Sequence, residues 1–257
     1  MLDNLRIGFK TIKEDGLLTF FGILKSRYRI PIPMSPHLMW KAGIKSEVRF
    51  WDGFFCAEDR AEDLKNRLDP EFPLQEKFWD LLPAHAEVQI LDVGAGPLTR
   101  IGKKCEGKYV VITAIDPLAD EYETLIDKYH IHPLIRTQKG EAEKLTVIFP
   151  PNSFDLVIAQ NSIDHSYAPE IAIQQMIGVV KQGGYIYLEH FFNVAEEMQY
   201  TGMHQWNFTL SSEGDFVISS KKQQVNISKK YSSLCTIKCE KTKGISRDWL
   251  IVKIFKL

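Results

Sequence analysis

The chain of 257 residues sets 32 Lys/Arg against 33 Asp/Glu, for a formal net charge of −1, and is 44% hydrophobic and 25% charged. That balance describes an ordinary globular protein and excludes the strongly basic surface of a general nucleic-acid binder. Cys56, Cys105, Cys235 and Cys239 show no paired CxxC spacing, so free thiols in a reducing, cytoplasmic setting are expected rather than a disulfide framework.

Residues 1 to about 30 mix Leu17, Leu18, Phe20, Phe21, Ile23 and Leu24 with Lys and Arg. The pattern suits a helix packed on the domain or on a second subunit, with a membrane surface as the other reading. Met1-Leu2-Asp3-Asn4 does not open a signal peptide, and no stretch approaches the roughly 20 apolar residues of a membrane span. Ile30-Pro31-Ile32-Pro33-Met34-Ser35-Pro36 reads as a stiff extended connector. After it, Glu47-Val48-Arg49-Phe50-Trp51-Asp52-Gly53-Phe54-Phe55 crowds aromatics around charges. This segment is expected to form either a short groove-filling helix or a lid over a site from which water must be excluded. Asp69-Pro70 and Phe72-Pro73 then divide a cap region, residues 1–73, from a main domain, residues 74–257.

The main domain opens with a helix expected over Leu74 to Leu82. From there strand and helix patterns alternate, which implies a mostly parallel sheet with right-handed crossovers. Val88 to Val93 is a short buried strand ended by Gly94-Ala95-Gly96-Pro97, with a helix expected from Leu98 to Lys104. Val110 to Ile115 is a second strand that delivers Asp116, twenty residues beyond Gly96, to its carboxyl end. A helix over Asp120 to Tyr129, a strand over Leu134 to Thr137 and a strand over Phe154 to Ala159 follow. Next come a helix over Pro169 to Val180, a turn at Gly183-Gly184 and a strand over Tyr185 to Leu188. Asp215 to Ser219, Val225 to Ile227, Leu234 to Lys238 and Trp249 to Phe255 read as antiparallel strands joined by polar turns. Between Ser219 and Leu257 stand ten Lys/Arg against two Asp/Glu. That bias reads first as a solvated sheet edge and second as a preference for an anionic acceptor.

A strand, a glycine turn and a helix let backbone N–H groups approach a ligand with no Cβ in the way. An acid at the end of the next strand is placed to accept from both hydroxyls of a ribose. The dinucleotide fingerprint would need a glycine where Thr99 stands, and the Asp92 carboxylate would repel a pyrophosphate while attracting an ammonium. With "ILDVGAGPLTR", "AIDPLADEY", "GEAEKL", "SFDLVIAQNSIDHS" and "VVKQGGYIYLEHF" in order, the chain over residues 74 to 192 resembles the class I S-adenosylmethionine-dependent methyltransferases. The resemblance implies a Rossmann-like α/β fold, a seven-stranded mostly parallel sheet with helices on both faces, behind the N-terminal helical and aromatic cap. Carried over by position, it assigns the methionine part of the cofactor to Asp92, Gly94, Ala95 and Gly96. It assigns the ribose to Asp116 and the adenine to Pro117, Leu118, Glu141 and Ala142, although the family commonly has Asp where Glu141 stands. Gln160 and Asn161 would line the transfer site.

Two strand ends expected to be neighbours are rich in polar groups: Asp164-His165 beyond one and Glu189-His190 on the other, with His204 some fifteen residues later. The sulfonium is already electrophilic, so aligning the acceptor carries most of the reaction, but a hydroxyl acceptor must also lose a proton. His165 is the first candidate for the base and His190 the second, with Asp164, Glu189 and His204 around them. The same side chains suit a divalent cation such as Mn²⁺ or Mg²⁺, and the sequence does not separate a bare base from a metal. "GMHQWNF" and "EVRFWDGFF" resemble methyltransferases of bacterial surface-polysaccharide synthesis, which implies a sugar, sugar-phosphate or glycan-precursor acceptor stacked by Trp51 and Trp206. The alternatives are N-methylation of a small molecule or protein and a non-catalytic cofactor-binding module. A homo-oligomer is compatible with either; a nucleic-acid partner and stable membrane insertion are not expected.

Overall fold

A computed structural model describes Phe21 and residues 35–257. The expectations for the remainder of residues 1–34, most of the proline connector among them, lie outside the described residues. Seven strands form one sheet. Strand β1 (Glu87–Val93) runs parallel to β2 (Tyr109–Asp116) on one side and to β4 (Phe154–Gln160) on the other. Strand β3 (Gln138–Lys139) extends the β2 side, and β5 (Val180–Phe191) lies parallel to β4. The order reverses at β1, so the carboxyl ends of β1 and β4 flank the crevice in which an open α/β sheet holds its ligands. Strand β10 (Trp249–Lys256) pairs antiparallel with β5, and β9 (Cys235–Thr242) pairs antiparallel with β10 at the edge of the sheet. This is the Rossmann-like architecture expected, and the basic C-terminal segment supplies its outer edge.

Alternation along the strands sends neighbouring residues to opposite faces. Leu91, Val93, Val157, Ala159, Ile186 and Leu188 meet the helix Pro169–Val179 on one face. That face is also packed by Phe208, Phe216 and Ile218 of a small antiparallel sheet, β6 (Asn207–Leu210), β7 (Phe216–Ser219) and β8 (Gln224–Asn226). Val88, Ile90, Leu156, Ile158 and Tyr187 face the other way, onto Leu74, Phe78, Leu81 and Ile101. With both faces covered, the inner strands carry almost unbroken apolar runs.

Strand β5 opens at Val180, running through the Gly183-Gly184 turn expected before it, and β6 is not among the expected strands. Ahead of β4, three elements depart from the sequence expectation. The segment over Leu74 to Leu82 is a 3₁₀ helix, Glu76–Leu81, not an α-helix. Leu98 to Lys104 forms no helix at all. Its backbone pairs instead with the chain entering the domain: Leu74 N donates to Lys104 O at 2.6 Å, Gln75 N to Ile101 O at 3.0 Å and Lys103 N to Phe72 O at 2.7 Å. Gly102 makes this possible, since it sits at φ +86° where a Cβ would come within 1.9 Å of Pro73 O. The third strand falls at Gln138–Lys139, after the stretch expected for it.

The cap is longer than expected. Helix α1 (Pro36–Cys56) runs 21 residues, with Ser35 as N-cap accepting from Leu38 N and Pro36 in its first turn. Trp40, Ile44, Val48, Trp51 and Phe55 recur at helical spacing and pack on Leu118, Tyr122 and Leu125 of the element Leu118 and helix α2 (Ala119–Lys128). Among the described residues no helix is long and apolar enough to cross a membrane, and all four cysteines are free.

Candidate active site

The turn after β1 is fixed by backbone bonds. Gly94 N and Ala95 N both donate to Ile115 O, at 2.8 and 3.0 Å, which ties the turn to the end of β2. Gly94 (φ +71°) and Gly96 (φ +65°) occupy the left-handed region, where a side chain is strained. Space is lacking as well: a Cβ on Gly94 would lie 2.4 Å from Ser162 Cβ, and one on Gly96 would lie 2.5 Å from Trp51 Cζ2. Asp92 is buried below the turn and accepts from Thr99 Oγ1 at 2.6 Å. Burial pushes its carboxyl up to about 6. Thr99 therefore serves Asp92, at the position where a dinucleotide site would hold glycine.

Asp116 ends β2 with its carboxylate buried, taking Gly96 N at 3.1 Å and Leu118 N at 2.9 Å. Burial raises it to about 7, against those two hydrogen bonds, and the nearby Glu47 and Asp92 charges push the same way. Glu141 accepts from Tyr167 Oη at 2.6 Å and from Lys144. Burial acts to raise its carboxyl, but the Tyr167 and Lys144 contacts together hold it below the ordinary value. Gln160 and Asn161 end β4, Asn161 at φ +48°. Gln160 Oε1 and Asn161 Oδ1 are buried acceptors with no partner. Asp92, Gly94, Ala95, Gly96, Asp116, Pro117, Leu118, Glu141, Ala142, Gln160 and Asn161 all line one cleft of about 750 Å³.

Helix α1 forms the other wall through Trp40, Glu47, Phe50, Trp51 and Phe54. Trp51 donates its indole N–H to Glu47 at 3.1 Å and rests on Gly96. The Arg67 guanidinium lies 5.4 Å from the Trp51 ring and 5.2 Å from that of Phe54. It is buried, and donates to Leu98 O at 2.7 Å and to Asp63. Nothing in the sequence singled out Arg67, a lone arginine on a short polar helix.

The expected polar cluster assembles around Asp164, which is fully buried. Its Oδ1 accepts from His190 Nδ1 at 3.1 Å, while its Oδ2 stands 3.7 Å from His165 Nε2 and 3.9 Å from His204 Nδ1. His165 Nε2 and His204 Nδ1 are themselves 3.1 Å apart. Burial would raise the Asp164 carboxyl, but the imidazoles outweigh it, His165 first and the His190 hydrogen bond next, and hold it below the usual carboxylate range. Burial, helped by His165, lowers His204 to about 4, so it is neutral at pH 7.

Two of the candidates stand elsewhere than expected. Glu189 is not in the cluster: it alternates to the opposite face of β5 from His190, where Lys77 and Gln160 bind its carboxylate. His190 does touch Asp164 but is 1% exposed and lies behind it, away from the cleft. His165 and His204 reach the cleft. Trp206 is buried in the core and cannot stack on a ligand. The aromatic wall beside His204 is instead Phe191 and Trp249, ring centroids 4.1 Å apart, with Arg247 over the Phe191 ring at 5.3 Å. Their sequence signal was only the alternation of β5 and β10.

Residues 91–188 match the family model described as a methyltransferase domain. A search of the curated proteins found no match. Among solved structures, the YcgJ protein from Bacillus subtilis is 16% identical over 67% of this chain and 93% of its own, with a TM-score of 0.37. A SAM-dependent methyltransferase from Methanosarcina mazei is 15% identical over 72% of this chain and 99% of its own, TM-score 0.42. The arsenic (III) S-adenosylmethionine methyltransferase CrArsM from Chlamydomonas reinhardtii is 16% identical over 82% of this chain and 74% of its own, TM-score 0.45.

Proposed function

We propose that this S-adenosylmethionine-dependent methyltransferase methylates a hydroxyl oxygen of a polar, carbohydrate-like acceptor, a sugar, sugar-phosphate or glycan precursor. The observation that carries the reading is the adjacency of two unlike surfaces. Ser162, packed on Gly94 and donating to Val93 O at 2.9 Å, joins the glycine turn to the Asp164–His165 corner two residues on.

The residues suit the cofactor. The methionine end would lie along Asp92 and the glycine turn, with its ammonium as donor for the orphaned acceptors on Gln160 and Asn161. Asp116 would take the ribose hydroxyls, and Pro117, Leu118 and Ala142 would flank the adenine with Glu141 at its edge. The cofactor supplies the electrophilic methyl group; the protein's part is to align an acceptor, exclude water and receive a proton. Helix α1, seated on Gly96 through Trp51, is the lid in this reading. His165, with Asp164 and His204 against its Nε2, faces the cleft where the acceptor's proton must leave. Phe191 and Trp249 offer flat apolar surface to a sugar face, and Arg247 offers charge to an anionic substituent.

The test is direct. Methyl-labelled S-adenosylmethionine incubated with a panel of sugar nucleotides and glycan fragments should label at least one hydroxyl. Label transferred only to amines would overturn the choice of oxygen, and cofactor that fails to bind the folded protein would overturn the site.

A further inference from the structure

Asp164 Oδ2, His165 Nε2 and His204 Nδ1 form a small triangle with sides of 3.1, 3.7 and 3.9 Å. A point equidistant from the three atoms lies about 2.1 Å from each, which is the bond length of Zn²⁺ and its neighbours to imidazole nitrogen and carboxylate oxygen. From this geometry we infer that Asp164, His165 and His204 bind one divalent transition-metal ion, with its remaining coordination positions open to the cleft. The binding site stands without the methyl-transfer reading; only its use in activating an acceptor rests on that reading.

Three further features fit. First, Asp164 Oδ2 is buried without a hydrogen-bond partner although the carboxylate is 0% exposed. The two histidines bond each other and leave this oxygen unserved, at the cost that attaches to any orphaned buried acceptor. An ion at the centre satisfies all three atoms at once.

Second, the ligands have backing groups. The other Asp164 oxygen is held by His190 Nδ1 at 3.1 Å. His165 Nδ1 faces Glu47 Oε2 at 3.9 Å, so with Nε2 on the metal its proton sits toward a carboxylate. Such outer contacts orient metal-bound side chains and set their basicity.

Third, the donor set is selective. Two imidazoles and one carboxylate, with open positions, suit Zn²⁺, Fe²⁺ or Co²⁺, whereas Mg²⁺ prefers oxygen ligands throughout. With an ion in place His165 is a ligand rather than a base. A hydroxyl entering an open position is then acidified by the ion and gives its proton to solvent.

The experiment uses untagged full-length protein stripped with a chelator, without S-adenosylmethionine or acceptor. It is titrated with CoCl₂ and separately with ZnCl₂, read by visible absorption and by metal content after gel filtration. One ion per chain at micromolar concentration is expected, with Co²⁺ bands of a low-coordinate site, and no comparable binding of MgCl₂. His204→Ala should weaken binding by more than about 100-fold and His190→Asn by about 10–100-fold. His132→Ala should leave it unchanged. His204 is a quarter exposed, and so is the ligand whose loss disturbs folding least. Asp164→Asn adds a variant of unchanged shape, whose amide donors would turn toward the ion. Failure of the wild type to take up either ion, or binding that survives both His204→Ala and Asp164→Asn, overturns the site. Cofactor affinity measured on the same stripped protein tests the methyl-transfer reading separately.

Discussion

The glycine-turn half of the cleft is held by backbone, and the histidine half by side chains. On the first side, Gly94 N and Ala95 N bond Ile115 O, Gly96 N and Leu118 N bond Asp116, and two positive φ angles leave no room for a Cβ. Asp92, the glycine turn and Asp116 all lie at the carboxyl ends of two adjacent parallel strands. On the second side, Asp164, His165, His190 and His204 come from a 3₁₀ turn, a strand and a later loop, and Glu47 reaches in from α1. A backbone-built surface tolerates exchange of its side chains except at glycine and at the acids whose charge it uses, here Asp92 and Asp116. A side-chain cluster changes its chemistry with every substitution. Binding and turnover should therefore separate along this line.

The largest effect expected tests that separation. His165→Ala or His204→Ala should cut turnover by roughly 10²–10⁴, the range for loss of proton-transfer or metal assistance, while S-adenosylmethionine affinity barely moves. Single-turnover rates and calorimetry on the same preparations give both numbers. Equal loss of binding and turnover would erase the distinction between the halves.

Asp116→Ala should do the reverse. Removing a charged acceptor from two ribose hydroxyls costs about 2–4 kcal/mol of cofactor affinity, and calorimetry reads it. Unchanged affinity in a folded variant would remove Asp116 from the cofactor site.

The contrast in construction also explains what the sequence disclosed. Apolar runs such as Ile90-Leu91 and Leu156-Val157-Ile158 announce doubly covered strands. Gly94, Gly96 and Asp116 announce the turn because local backbone geometry demands those residue types in that order. Asp164, His165 and His204 were legible as a group only because two strand ends were expected side by side. Which face Glu189 would take depended on the register of β5, which begins well before the Tyr185 expected to open it and is irregular around Gly184. The absent helix after Gly96 could not be foreseen either, because the pairing that replaces it is made with Phe72 to Gln75, a segment with no strand pattern. Arg67 and Arg247 meet the cleft by tertiary packing alone, and no spacing records that.

A smaller effect comes from pH. With Asp116 raised to about 7 by burial, its proton is bound in the free protein below that pH, and the ionised form is the better acceptor for ribose. Cofactor affinity should rise between pH 6 and 8 by up to about tenfold per unit below the pKa. In Asp116→Asn this component of the rise should vanish, leaving the smaller contribution of Asp92 near 6. Stability runs the other way. A carboxyl raised on folding contributes stability below its unfolded value, and that contribution is lost as pH rises through 7. The Asn variant should therefore gain stability relative to wild type on going from pH 5 to pH 8, as denaturant titrations would read.

The smallest effect concerns the contact between the two constructions, Trp51. Its ring rests on Gly96, its N–H donates to Glu47, and Arg67 lies over its face. Trp51→Phe keeps one aromatic ring, removes the half-buried hydrogen bond, with a net worth of about 0.5–1.5 kcal/mol, and withdraws the Cζ2 edge that meets Gly96. For a chain of this size that corresponds to a fall of roughly 2–4 °C in melting temperature per kcal/mol. The more telling readout is local. Amide exchange should quicken along α1 near Glu47 to Phe55, whereas Gly94 to Gly96, bonded to Ile115 and Asp116 rather than to the helix, should keep their protection. Cofactor should then slow exchange in α1 of the wild type, as a lid requires, and do so less in the variant. If the glycine turn loosened together with α1, the turn would depend on the lid, and the two halves of the cleft would be one structure.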